Sequence, residues 1–280
     1  VMHSFPAMET PLSRTTLNNG RAMPMLGLGV SGMYGEDAVR AITSALAIGY
    51  RLIDTAALYD NEAAVGQAVR ESGVDRAEIF ITTKVKNLHQ GYDSTMRAFE
   101  ASLSRLNCDY IDLYLLHWPS RSHRKETWRA LETLYRQKAV RSIGVCNYPV
   151  PLLEELQTYA DTVPAVNQVE FSPYLYSEDL LRCCQSLGIH LQASCPLAQG
   201  KRLDDPRLTA VAAKYGKTPA QIMLRWILQH GVSAIPKSSN VRRLHENLDV
   251  FDFDLQPDDA ARLDRLHEGL RIFDDPMDYV

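Results

Sequence analysis

The chain has 280 residues, 45% of them hydrophobic and 23% charged, a balance that fits a globular protein in water. That length suits one large α/β barrel or two ordinary domains. A formal net charge of −4 gives no reason to expect a nucleic-acid or membrane-surface partner, and no apolar run reaches the roughly 18 residues of a membrane helix.

The start, Val1 to Pro11, lacks a charged segment followed by an apolar core. No signal peptide is expected there, Met2 and Met8 leave the native start open, and the chain is read as cytoplasmic. Five cysteines, Cys108, Cys146, Cys183, Cys184 and Cys195, are odd in number and show no Cys-x-x-Cys pair or zinc spacing. They read as reduced thiols that pack like small apolar residues, with no metal site.

The first structural signal is a hairpin over Thr15 to Met23, with Asn19-Gly20 at its turn. It is placed to close the amino-terminal mouth of a barrel. Apolar runs that read as strands follow near Met25–Gly29, Arg51–Asp54, Ile79–Lys84, Tyr110–His117, Val140–Val145, Ala165–Glu170, Ile189–Ser194 and Val232–Pro236. Helical periodicity separates most of them, over Glu36–Ile48, Asn61–Ser72, Tyr92–Leu106, Lys125–Gln137, Pro151–Tyr159, Ser177–Leu187 and Pro219–His230. Asn61 reads as a helix cap and Pro219 as a first-turn proline, while Gly49, Gly188 and Gly231 stand where helices should stop. Two further helices, Val241–Val250 and Pro257–His267, precede an irregular tail. Eight strands alternating with helices and no linker predict a (β/α)8 barrel, with 1–280 as one domain.

One motif competes with that reading. Gly27-Leu28-Gly29-Val30-Ser31-Gly32 matches G-x-G-x-x-G, with Asp54 roughly 20 residues beyond, as in a dinucleotide fingerprint. A helix should begin inside such a motif, whereas Met33-Tyr34-Gly35-Glu36 intervenes here. Eight repeats also suit a closed barrel better than a doubly wound sheet.

Four polar residues stand at or just beyond strand ends: Asp54, Tyr59, Lys84 and His117. The carboxyl ends of strands are where α/β folds gather their chemistry. Taken singly, each residue has an ordinary use in capping, packing or satisfying backbone. Together they suggest a proton-transfer centre, with Tyr59 as general acid, Lys84 pulling its pKa down from ~10, Asp54 holding Lys84, and His117 binding a substrate oxygen.

With these residues in place, the sequence resembles the aldo-keto reductase family along nearly its whole length. Gly49 to Ala56 followed by Tyr59, Asn61 and Glu62 is similar to the family's first signature. Asp112-Leu113-Tyr114-Leu115-Leu116-His117-Trp118-Pro119 resembles its His-bearing strand. Ile235-Pro236-Lys237-Ser238, with Arg243, Glu246 and Asn247, resembles its cofactor-clamping segment. The wording near the tail and the short loop after His117 look most like the microbial 2,5-diketo-gluconate reductase and prostaglandin F synthase types.

The resemblance implies the family tetrad at Asp54, Tyr59, Lys84 and His117, with Tyr59 as proton donor. It places Asn147 and Gln168 on the nicotinamide carboxamide, and Ser194 and Leu197 in the segment that follows strand seven along the cofactor. Lys237, Ser238 and Arg243 match the 2′-phosphate site, and Glu246 and Asn247 match adenine contacts. Two cations and a hydroxyl suit a phosphate dianion, so NADPH/NADP+ rather than NADH is implied. The expected partner is a small carbonyl substrate, and family habit points to a monomer.

The sequence departs from the family where aromatic walls are usual. Ser31, Lys86 and Ser194 stand at three such positions, Cys146 replaces a serine, and Trp118 is retained as a pocket residue. A larger, wetter pocket is expected, with less stacking surface. Lys86, Arg121 and Arg124 suggest attraction of an anionic carbonyl compound. The expected activity is NADPH-dependent reduction of aldehydes or ketones. Alternatives are a catalytically weak cofactor-binding regulator of the same fold, a reductase of C=N bonds, and a metal-dependent barrel hydrolase, for which this chain lacks a His-x-His pair and clustered carboxylates at strand ends.

Overall fold

The computed structural model describes Thr10 and residues 12–280. Apart from Thr10, the segment read for a signal peptide lies outside the described residues. The chain begins with β1 (Arg14–Thr16) and β2 (Ala22–Pro24), paired antiparallel across a turn in which Gly20 takes a φ of 79°. Eight parallel strands follow: β3 (Leu28–Gly29), β4 (Leu52–Asp54), β5 (Phe80–Val85), β6 (Ile111–Leu116), β7 (Val140–Cys146), β8 (Val166–Glu170), β9 (His190–Ser194) and β10 (Ser233–Ala234). They are hydrogen-bonded in sequence order. The two outer strands approach each other through a parallel Leu26–Ala234 bridge, with Ala234 N donating to Met25 O and Gly27 N to Ala234 O, both at 2.9 Å. The sheet thus curls into the expected barrel.

Helices α1 (Gly35–Ala47), α2 (Glu62–Glu71), α3 (Tyr92–Leu106), α4 (Arg124–Arg136), α5 (Val150–Gln157), α6 (Glu178–Leu187), α7 (Pro206–Tyr215) and α8 (Pro219–Gln229) surround the strands, and α9 (Val241–Leu248) and α10 (Pro257–Asp264) follow. The strands are apolar on both faces because both are covered. On β6, Leu113 and Leu115 join an inner cluster with Leu52, Phe80 and Val166, whereas Tyr114 and Leu116 join the core shared with the helices. Leu17 and Met23 of the hairpin belong to that inner cluster, and the Asn18 and Asn19 amides donate to Pro164 O and Arg141 O. The hairpin closes the floor by apolar packing and by hydrogen bonds to backbone.

Two local readings change. Helix α7 is absent from the sequence reading, although Asp205 caps it, Pro206 opens it and Gly216 ends it at a φ of 63°. Asn61 sits at the cap position of α2 but makes no side-chain cap bond. Its amide donates instead to Val30 O and Met33 O at 2.8 and 3.0 Å and accepts from Thr55 Oγ1, tying the β3 loop to β4. The glycines of the competing motif serve packing: a Cβ on Gly27 would lie 2.1 Å from the Leu52 side chain, and one on Gly29 2.8 Å from Ile235 O. Thr218 does make a capping box with Gln221 ahead of α8, as Pro219 suggested. Among the described residues no disulfide forms and no helix is long and apolar enough to cross a membrane.

The tail is ordered over the carboxyl mouth. Glu268 N and Leu270 N donate to Tyr174 O, and the Glu170 carboxylate accepts from Ile272 N and Phe273 N at 2.8 and 3.0 Å. Arg121 and Arg124 donate to Asp278 O and Tyr279 O, and the Tyr279 ring lies 5.4 Å from that of Trp118.

Candidate active site

Asp54 ends β4, Lys84 lies on β5, and His117 follows β6, so three neighbouring strands deliver three of the four polar residues to one mouth. Tyr59 arrives from the one-turn 3-10 helix Ala57–Tyr59. Lys84 is fully buried and Asp54 is 2% exposed. The Lys84 Nζ donates to Asp54 Oδ1 at 2.5 Å and to Thr55 O at 2.9 Å. It also lies 5.1 Å from the centre of the Tyr59 ring, which meets the His117 ring edge-on at 5.7 Å. Behind them Glu62 accepts from Thr83 Oγ1 and from Arg105 Nε, which anchors α2 against β5 and α3.

The electrostatics differ from expectation at one point. Burial, the largest single influence, would depress the Lys84 ammonium, but Asp54, Tyr59 and Cys146 together outweigh it and hold the ammonium above its ordinary value. Burial pushes the Tyr59 phenol upward, and Lys84 only partly opposes the rise. Sequence reasoning weighed the cation and missed the dry wall around the phenol. Burial, reinforced by Lys84, lowers His117 to about 3, so its imidazole is neutral at ordinary pH. Its Nδ1 is buried without a partner. Burial raises the Cys146 thiol, leaving it a neutral, weak donor.

These groups stand at one end of a cleft of about 1180 Å³, larger than the usual small-molecule pocket. Asp54, Tyr59 and His117 line it, and Lys84 lies behind them. Asn147, Gln168, Ser194, Leu197, Lys237, Ser238, Arg243, Glu246 and Asn247 all line the same cleft, as do Ser31 and Trp118. Lys86 does not; it is half-buried ahead of the turn Asn87–His89. Arg121 and Arg124 turn to the tail carbonyls, and Arg124 also pairs with Glu155, so that basic trio does not converge on a ligand.

Asn147 sits just past β7 at a φ of 61°, a conformation Asn tolerates better than most residues. Its Nδ2 donates to His117 O at 3.0 Å. Gln168 donates to Asp54 Oδ2 at 2.7 Å. After β9 the chain turns sharply, with positive φ at Cys195, Ala198 and Gln199, strain of a kind that collects at functional sites.

At the opposite end, Lys237, Arg242 and Arg243 are exposed and form no ion pair among the described residues. Ser238 Oγ accepts from Asn240 N, and the Asn240 side chain caps α9 through Arg243 N. Thr218 Oγ1 donates to the Glu246 carboxylate. Three cations, a hydroxyl and a helix amino terminus suit a phosphate dianion. Arg242, Thr218, Cys195 and Phe273 also line the cleft and were missed. Arg242 adjoins a motif residue, and only that adjacency could have flagged it. Phe273 arrives on the tail, which carries no periodic signal.

The sequence profile of the aldo/keto reductase family matches residues 25–268. A relative named glyoxal reductase, from Bacillus subtilis (strain 168), is 51% identical over 259 residues, covering 92% of this chain and 94% of its own. Morphine 6-dehydrogenase of Pseudomonas putida is 47% identical over 287 residues, covering 97% and 96%. The crystal structure of a Gox0644 mutant in complex with NADPH superposes with a TM-score of 0.91 at 39% identity, covering 95% of this chain and 98% of that one. The two named activities differ from each other, so these relatives support the family and single out neither the 2,5-diketo-gluconate reductase nor the prostaglandin F synthase type.

Proposed function

Because the chain belongs to the aldo/keto reductase family, we propose that it is an NADPH-dependent carbonyl reductase that turns aldehydes or ketones into alcohols, with Tyr59 as proton donor. The observation that carries this reading is one cleft with a buried Lys84–Asp54 pair beneath Tyr59 and His117 at one end, and three cations without a carboxylate partner among the described residues at the other. The residues present fit the cofactor. Lys237, Ser238 and Arg243 would hold the 2′-phosphate, Glu246 and Asn247 the adenine, and Asn147 and Gln168 the carboxamide. Ser194 and Leu197 would lie along its path. NADPH, when bound, supplies the hydride.

The protein's part is to manage the proton. A neutral His117, with its N–H on Nε2, would donate to the substrate oxygen without charging the site. As that oxygen gains negative charge it becomes a far stronger base than a phenolate, so Tyr59 can surrender its proton despite a raised pKa. Lys84, kept protonated by Asp54, then stabilises the phenolate that remains. A positioned acid of this type contributes roughly 10²–10⁴ in rate. Ser31, Trp118 and Phe273 would bound the substrate.

The test is NADPH oxidation across aldehydes, ketones, keto acids and cyclic imines, with Tyr59→Phe as control. Turnover of carbonyl compounds that falls about 10²–10⁴-fold in the control is expected. Tight NADPH binding with no turnover of any class would refute the reductase reading, and activity on imines alone that survives Tyr59→Phe would replace it.

A further inference from the structure

The Gln168 amide nitrogen carries two contacts. Its Nε2 donates to Asp54 Oδ2 and to Gln192 Oε1, each at 2.7 Å. Both partners are acceptors, so both N–H bonds of this amide are spent inside the barrel. Oε1 is the atom left for the cleft that Gln168 lines. The second acceptor is fully buried on β9, where the strand register sets Gln192 beside Gln168 of β8. The orientation of the Gln192 amide is itself fixed, because its Nε2 faces Met23 Sδ at 3.9 Å. Turned around, Gln192 would set one amide nitrogen against another and leave its oxygen facing a thioether. A polar line therefore runs from the hairpin floor through Gln192 and Gln168 to Asp54 and Lys84.

We propose that Gln192 is a positioning residue: with Asp54 it completes the lock on the Gln168 amide that leaves Oε1 toward the cleft, so that this end of the site recognises a hydrogen-bond donor on the ligand. The proposal rests on the NADPH reading given above. Asn147 adds a second amide to this end: one N–H of its Nδ2 goes to His117 O, and its Oδ1 remains available as an acceptor. Cys146 offers only a weak S–H. A carboxamide brings the N–H bonds that two amide oxygens need. An acetyl group in its place brings none, so the Gln168 oxygen would be left without a donor. Gln192 touches no ligand in this scheme; its effect passes entirely through Gln168.

The test compares dissociation constants for NADPH and for its reduced 3-acetylpyridine analogue, read by quenching of tryptophan fluorescence. The full-length chain is measured alongside Gln192→Met, Gln192→Leu and Gln192→Glu. Methionine fills a similar volume without an acceptor, leucine is a second variant without one, and glutamate restores an oxygen. The unmodified chain should prefer NADPH about tenfold or more. In Gln192→Met and Gln192→Leu that preference should shrink about three- to tenfold, the share of one amide hydrogen bond, and Gln192→Glu should recover it. Because the preference is a ratio on one protein, general loosening weakens both ligands and leaves it unmoved. No preference in the unmodified chain, or one that persists in Gln192→Met and Gln192→Leu, overturns the positioning role and leaves the reductase reading standing. Failure of the unmodified chain to bind NADPH overturns both.

Discussion

The two ends of the cleft handle charge in opposite ways. At the reaction end, Lys84 and Asp54 are buried and satisfy each other, and each has a further partner in Thr55 O or Gln168. At the far end, Lys237, Arg242 and Arg243 stand in solvent with no carboxylate partner among the described residues. The first arrangement is a finished machine part, whose charges matter through what they do to Tyr59 and His117. On the proposed reading, the second is completed by the cofactor's 2′-phosphate. Energetically, breaking the buried pair should cost the fold, whereas removing an exposed cation should cost only the ligand.

The largest effect expected from that contrast is on stability. Asp54→Ala leaves the Lys84 ammonium buried and uncompensated, and should destabilise the chain by about 3–5 kcal/mol in urea titration. A loss below about 1 kcal/mol would mean that the reaction end is not internally balanced as described. Arg243→Ala should leave the urea midpoint nearly unchanged, within about 0.5 kcal/mol. It should weaken NADPH about ten- to a hundredfold, the worth of a hydrogen bond to a charged group, and leave NADH binding largely as it was. Equal losses for the two cofactors would remove the 2′-phosphate from this end. Salt separates the ends without mutation. Raising ionic strength from about 0.05 to 0.5 M should weaken NADPH binding several-fold while kcat stays constant, because only the exposed charges are screened.

This contrast was half legible in the sequence. Asp54, Lys84 and His117 announce themselves because parallel strands are apolar on both faces, so a polar residue at a strand end has little to do but face the mouth. Lys237, Ser238 and Arg243 were found through resemblance, since exposed cations near a helix start are ordinary on physical grounds alone. What escaped depends on three-dimensional neighbours. The upward shift of Tyr59 needs the burial around it, and the link from Gln192 to Asp54 needs the register of β8 with β9. Asn61 looked like a cap because cap and loop anchor use the same side chain, and only the positions of Val30 O and Met33 O decide between them. Arg121 and Arg124 look ligand-facing in the sequence, which does not reveal that the tail folds back over their loop.

The last contrast concerns pH and belongs wholly to the buried end. Folding lowers His117 to about 3, chiefly by burial, whereas an unfolded histidine titrates near ~6.5. Between those values the unfolded chain holds a proton on this ring that the folded chain does not. Stability contributed by the neutral ring is therefore fully present above about pH 6.5 and is lost progressively as pH falls toward 3. The slope from this one group approaches about 1.4 kcal/mol per pH unit near pH 5, and urea midpoints measured from pH 7 to pH 4.5 read it directly. His117→Gln removes the titration and should flatten that part of the profile. Other acid-sensitive groups contribute to both proteins alike, so the difference between the two profiles isolates His117. Lys84 sharpens the prediction further, since its charge adds to burial in keeping the imidazole neutral. Identical slopes in the two proteins would show that His117 takes up its proton in the folded state, and a neutral donor at the reaction end would have to be abandoned.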